Sequence, residues 1–285
     1  MAIANKNGEL YLTLLRLRRN KLALLGLFIL FLLVIVAVLA PVLAPFHYAE
    51  QNLMMAFEPP SWEHPLGTDD FGRDILSRII YGAQVSLQVG IFAVALAMFI
   101  GGALGAIAGY YGGRIDGIIM RLMDILLSIP QILLAVAIAA ALGPGLLNLT
   151  IAVGVAALPA FARVVRGAVL SIIGQEFIEA AYCMGASDSW IIIRHILPNC
   201  SAPIIVQSTL RVAQAILVAA ALSFLGLGIQ PPFPEWGGML ASARGYVRDY
   251  GYMTIFPGLA IMITIMALNF LGDGLRDAMD PKLKR

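Results

Sequence analysis

Six long apolar runs, near residues 22–44, 86–110, 122–142, 145–162, 203–227 and 253–272, constrain this chain more than any other feature. None shows the period-2 alternation of a half-buried strand, and most approach or exceed the roughly 20 residues a helix needs to cross a hydrocarbon core of about 30 Å. In hydrocarbon every backbone N–H and C=O has to be satisfied by the protein itself, and a helix does so within its own segment. The expected fold is all-α, a polytopic membrane protein with six transmembrane helices. Composition agrees: 60% of the 285 residues are hydrophobic and 13% charged, with a mean hydropathy of +0.87. That leaves too few polar side chains to cover a solvated surface. The formal net charge of +2 gives no reason to expect a nucleic-acid partner. Cys183 and Cys200 lack metal-ligand spacing, and no metal or cofactor is expected.

The basic cluster Arg16, Arg18, Arg19 and Lys21 before the first run has the order of a signal peptide, but the run exceeds the usual apolar length of about 7 to 15 residues, and Pro41 disfavours cleavage after Ala40. It is read as the first membrane helix. With the N-terminus inside, the inner segments hold 14 of the 19 basic residues, among them Lys6, Arg114, Arg121, Arg163, Arg166, Arg194, Arg276, Lys282, Lys284 and Arg285; the outer loops hold Arg73, Arg78, Arg244 and Arg248. The bias places both termini in the cytoplasm. The expected organisation is an N-terminal segment 1–21, a first helix 22–44, an outer loop 45–85, a five-helix core 86–272 containing an inner loop 163–200 and an outer loop 228–252, and an inner tail 273–285.

Ala97, Gly101, Gly105 and Gly109 recur every four residues and form a small-residue ladder that permits close helix approach, either for packing within the bundle or along a translocation path. In the first outer loop, Asp69, Asp70 and Asp74 with Gly67 and Gly72 do not follow the alternate-position ligand pattern of a calcium loop, and the twelfth position from Asp69 is Ile80 rather than Glu. Thr68 or Asp69 is expected to cap a short helix running through Asp74 to Ile80. Arg211, inside the fifth run, either lines a polar cavity or snorkels toward the interface.

The inner loop carries Glu179-Ala180-Ala181, then Gly185, then His195-Ile196-Leu197-Pro198-Asn199. Phe177, Ile178, Ala181 and Met184 are expected on one side of a short helix that Gly185 ends; Ser187 or Asp188 is expected to cap a second, which Pro198 stops. Such a helix pair needs either the membrane surface or a protein groove for its apolar face. In content and spacing this segment resembles the EAA loop of bacterial ABC importer permeases. The resemblance extends over nearly the whole chain: His64-Pro65-Leu66-Gly67-Thr68-Asp69 through Phe71-Gly72-Arg73-Asp74, Ser223-Phe224-Leu225-Gly226-Leu227-Gly228 with Pro231-Pro232 and Glu235-Trp236-Gly237, and Leu271-Gly272-Asp273-Gly274-Leu275-Arg276-Asp277 with Asp280-Pro281 are similar to the second permease subunit of dipeptide and oligopeptide ABC importers. The resemblance implies a homologous partner permease, two ATP-binding cassette ATPase subunits, an extracytoplasmic peptide-binding protein and surrounding membrane lipid. It implies that Glu179, Ala180, Ala181 and Gly185 belong to or adjoin a coupling helix seated on an ATPase, and that relatives carry dipeptides, longer peptides, glutathione, nickel complexes or other solutes.

ATP would be bound by those partners. The four lysines follow Asn, Asn, Pro and Leu, so none completes the Gly-Lys-Ser/Thr of a phosphate-binding loop. The alternative, a proton-coupled transporter of peptides or small solutes, would ordinarily place Asp, Glu or His within its spans, whereas Arg211 is the chief ionisable residue there. An enzyme is not expected. His47, His64 and His195 are divided between the two sides, and no Ser sits in a Gly-x-Ser-x-Gly elbow. A channel lacks any filter segment between the spans.

Overall fold

The computed structural model describes residues 15–279. Lys6, the Asp280-Pro281 motif, Lys282, Lys284 and Arg285 lie outside the described residues. Among the described residues, five helices are long and apolar enough to cross a membrane: α1 (Lys21–Val38), α2 (Ile75–Tyr111), α5 (Leu146–Leu170), α7 (Ser201–Phe224) and α9 (Tyr252–Met279). Two further helices, α3 (Gly113–Ser128) and α4 (Gln131–Leu142), are bent by 90° relative to each other and have together the length and apolarity of one broken span, which would bring the number to six. The shorter α6 (Glu176–Cys183) and α8 (Trp236–Ala243) lie between spans.

Several expected boundaries are corrected, each for a physical reason. The first helix breaks at Leu39, with Pro41 in the first turn of a short continuation, Ala40–Leu43, where a missing N–H costs nothing. Asp74, rather than Thr68 or Asp69, caps α2 by accepting from the Ser77 backbone N–H at 2.7 Å. The short outer helix fuses with the second span into one helix of 37 residues, roughly 55 Å long, so it projects well beyond the hydrocarbon core. Hydropathy marks the apolar portion and misses the polar first turns. The third run is broken because Pro130 drives Ile129 into extended backbone. Pro159 does not shorten the fourth, and α5 continues through it to Leu170, since the surrounding bundle tolerates one lost helical bond. The last helix likewise continues past residue 272 to Met279.

Helix contacts define the two ends of the molecule. Gly26 lies against Ala267 and Leu271, and Ala23 against Gly274, so α1 and α9 run antiparallel. Arg16 Nη1 donates to the Ala278 carbonyl at 3.4 Å, bringing the two described termini to one end, here termed proximal. Gly101, Gly105 and Gly109 face Leu158, Ala162 and Val169, in rising order along both chains, so α2 and α5 are parallel and α3–α4 must cross back between them. A Cβ at Gly101 would stand 2.5 Å from the Leu158 carbonyl oxygen, closer than any side chain allows. The glycine ladder is thus spent on packing inside the bundle.

Candidate functional site

The proximal end is built from the 171–200 segment resting on the ends of α2 and α5. In α6, Glu176 and Glu179 lie in the first turn, where the exposed N–H groups favour negative charge. The helix ends in a Schellman motif: the Ala186 N–H donates to the Ala181 carbonyl at 3.2 Å and the Gly185 N–H to the Tyr182 carbonyl at 2.9 Å. Gly185 has φ +80°, a left-handed conformation that a side chain would strain, although nothing lies within 4 Å of where its Cβ would stand.

Burial divides α6 differently from the expectation. Ile178 and Ala181 are buried in a cluster with Val165, Val169, Ile191, Ile196 and Cys200. Phe177 and Met184 instead point away from that cluster, Met184 being 80% exposed. The four apolar positions do share a broad arc, of which the bundle takes only the 178/181 side. Glu179, Ala180 and Tyr182 are exposed as well. The outward surface of α6 therefore mixes large apolar groups with two carboxylates.

The second helix of the segment begins after Ser187, whose side chain makes no cap bond. Asp188 does not cap it either: its Oδ1 accepts from the Tyr110 hydroxyl at 2.9 Å, tying the segment to the last turn of α2. Nor does Pro198 stop it. Residues Ile192–Ile196 form a wide π-helical turn in which the Leu197 N–H reaches the Ile192 carbonyl, and a short helical turn Leu197–Asn199 follows with Pro198 near its start, where the missing N–H is harmless. His195 is held between Trp190 and Phe177, at ring-centroid distances of 4.6 and 6.4 Å. Tyr110, Ile178, Glu179, Tyr182 and Asp188 line an open recess of about 600 Å³ beside α6. The spatial result is that Glu179, Ala180, Ala181 and Gly185 form one short, firmly seated helix end, while Arg211 is far from it on α7. Charge pairing fixes the neighbouring α3: Arg166 grips Asp116 through Nε and Nη2 at 2.5 and 2.6 Å, and Arg163 meets Asp124 at 2.6 Å.

The distal end is a cap held by contacts between residues far apart in sequence, which no local pattern announces. His64 Nδ1 and Asp74 Oδ1 lie 3.0 Å apart, Asp74 Oδ2 also accepts from the Ser77 hydroxyl at 2.7 Å, and Arg73 Nε donates to Asp69 Oδ2 at 2.6 Å, all in buried surroundings. Asp69 and Asp74 thus spend their carboxylates on partners within the loop and the start of α2, whereas Asp70 Oδ1 is buried without a hydrogen bond among the described residues. Tyr252 donates to the Glu58 and Thr68 carbonyls at 3.0 and 3.2 Å, Phe57 stacks on Tyr250, and Trp236 Nε1 donates to the Ile79 carbonyl at 3.1 Å. These aromatics of the 230–252 segment are engaged in joining the two outer loops. Glu235 caps α8 by accepting from the Gly237 and Gly238 N–H groups at 2.9 and 2.8 Å, and burial pushes its carboxyl above the ordinary range.

Residues 101–285 match the family described as binding-protein-dependent transport system inner membrane component, and residues 10–60 match the N-terminal transmembrane domain of oligopeptide transport permease C. The dipeptide transport system permease protein DppC of Alkalihalophilus pseudofirmus is 52% identical over 94% of this chain and 88% of its own length. The di/tripeptide transport system permease protein DppC of Pseudomonas aeruginosa is 48% identical over 93% and 89%, and the glutathione transport system permease protein GsiD of Pectobacterium atrosepticum 48% over 94% and 89%. Among solved structures, a chain of the inward-facing MetNI methionine ABC transporter superposes with a TM-score of 0.59 at 20% identity, covering 72% of this chain and 98% of that one, a likeness of fold.

Proposed function

The chain belongs to the family of binding-protein-dependent transport system inner membrane components, a multi-pass permease subunit of an ABC importer, and on that basis we propose that its cargo is a di- or oligopeptide. Three relatives named for dipeptide, di/tripeptide and glutathione transport support a peptide cargo. The chain forms half of the translocation pathway beside a homologous permease, with two ATPase subunits docked at the proximal end and an extracytoplasmic peptide-binding protein at the distal end. Both termini face the cytoplasm, because the proximal end collects the greater share of Lys and Arg.

The observation that carries this reading is the outward face of α6. A helix of this length has little stability of its own, yet Ile178 and Ala181 anchor it while Phe177, Glu179, Ala180 and Met184 stay uncovered. We take Glu179, Ala180, Ala181 and Gly185 as the coupling element seated in an ATPase groove, and Arg211 as a lining residue of the path. ATP and its chemistry belong to the partner subunits. The test is uptake of a labelled dipeptide by membrane vesicles containing the complete transporter. Uptake is expected to require ATP and to survive collapse of the proton gradient; uptake that follows the proton gradient without ATP overturns the reading.

A further inference from the structure

Gln207, Arg211 and Gln214 stand at i, i+4 and i+7 on α7 and so share one stripe of a membrane-spanning helix. The other side of α7, through Ala213, Ala215, Ile216, Ala219 and Ala220, is buried in the bundle. The polar stripe is not, and Gln214 is exposed. Arg211 lies ten residues from Ser201, about 15 Å along the axis, near the middle of this membrane-spanning helix. That is too far from either end for a stem of three methylenes to carry the guanidinium into headgroup water. Among the described residues Arg211 forms no ion pair, and its nearest polar partner is Gln214 Oε1 on its own helix, at 3.5 Å. Arg163 and Arg166, by contrast, are matched to Asp124 and Asp116. A mid-membrane guanidinium without an anion, flanked by two amides, is costly against lipid but suited to a water-filled path that an anion enters.

We propose that Arg211, steadied by Gln214 and flanked by Gln207, is a transit site for a carboxylate of the cargo, with the peptide C-terminus as its natural occupant. A terminal carboxylate is the feature that peptides of any sequence share, so such a site serves a path whose cargo side chains vary. This rests on the peptide-importer reading above.

The test uses the complete transporter with its binding protein in proteoliposomes, supplied at saturation with dialanine, its C-terminal amide, or an aspartyl-alanine amide. Binding-protein affinity for each peptide is measured separately. Wild type is expected to carry the free acid about tenfold faster than dialanine amide, the worth of a charge-assisted contact. R211Q is expected to bring that ratio close to one, mainly by losing the acid; R211K keeps most of the preference. Q214E, which sets a competing carboxylate beside Arg211 and removes rather than adds an unpaired charge, is expected to lower the ratio in the same way and decides the matter if R211Q does not assemble. The aspartyl amide separates the sources: if it is carried as slowly as dialanine amide, the C-terminal carboxylate is the occupant, and if it is carried as fast as the acid, any cargo carboxylate serves. Wild-type ratios in both R211Q and Q214E, or no acid preference in wild type, overturn the proposal. Absence of ATP-driven uptake by wild type would instead fail the importer reading.

Discussion

The Tyr110 hydroxyl donates to Asp188 Oδ1 across 2.9 Å, so the last turn of the longest helix in the bundle is tied directly to the helix pair at the proximal end. Ile178 and Ala181 of α6 share a buried cluster with Ala106 of α2, so the 176–188 segment is joined to α2 by apolar packing as well as by this bond. Tyr110→Phe removes the bond and keeps the ring. We expect ATPase binding to persist while peptide moved per ATP falls about two- to tenfold, in line with a lost hydrogen bond of about 1 kcal/mol. Transport and hydrolysis measured on the same proteoliposomes check it; an unchanged ratio removes the bond from the coupling account.

Gly185→Val forces a β-branched residue into φ +80° and should cost about 1–2 kcal/mol locally. With empty space where the Cβ would stand, the damage is conformational and confined to the end of α6. Membrane insertion is expected to stay at wild-type level while hydrolysis no longer drives transport. Coupling at wild-type level would detach Gly185 from the coupling element.

Gly101→Leu meets the Leu158 backbone and the Phe161 side chain. Separation of α2 from α5 should cost about 1–3 kcal/mol or more, read as a lower melting temperature in detergent. A matched change at Gly117, which has nothing within 4 Å of its Cβ position, should have little effect on melting. Equal effects at the two sites would contradict close packing of α2 on α5.

Asp74→Ala removes the N-cap of α2 and leaves His64 and Ser77 without their shared acceptor in a buried site. Destabilisation of about 2–4 kcal/mol is expected from the lost cap and the unsatisfied groups together. Protease cleavage within residues 45–74 is the readout, rising in the variant if the network holds the distal cap together and unchanged if it does not.

The spans were legible because hydrocarbon imposes one requirement on every residue of a crossing, and the sequence pattern records it. Their ends were not, because helices extend into polar surroundings where hydropathy falls silent: Asp74 caps a helix whose first turns contain Ser77 and Arg78. Gly185 was readable as a stop, since few residues adopt its conformation. Asp188 was not, because its partner Tyr110 lies 78 residues earlier and no local pattern announces that pairing. The same holds for Tyr252 with Glu58 and Trp236 with Ile79, contacts that join the two outer loops across more than 150 residues of sequence. Pro198 misled because it falls near the start of a short new helical turn, where its missing N–H is harmless.

The most direct measurement is purification of this chain from its native membrane in mild detergent, with mass spectrometry of what accompanies it, beside a Glu179→Lys variant that reverses charge on the exposed face of α6. A second permease and ATPases with phosphate-binding loops are expected to copurify with wild type, and the variant is expected to retain the permease but lose the ATPases. A chain that emerges alone or only with copies of itself, or a variant that keeps its ATPases in full, would contradict this expectation.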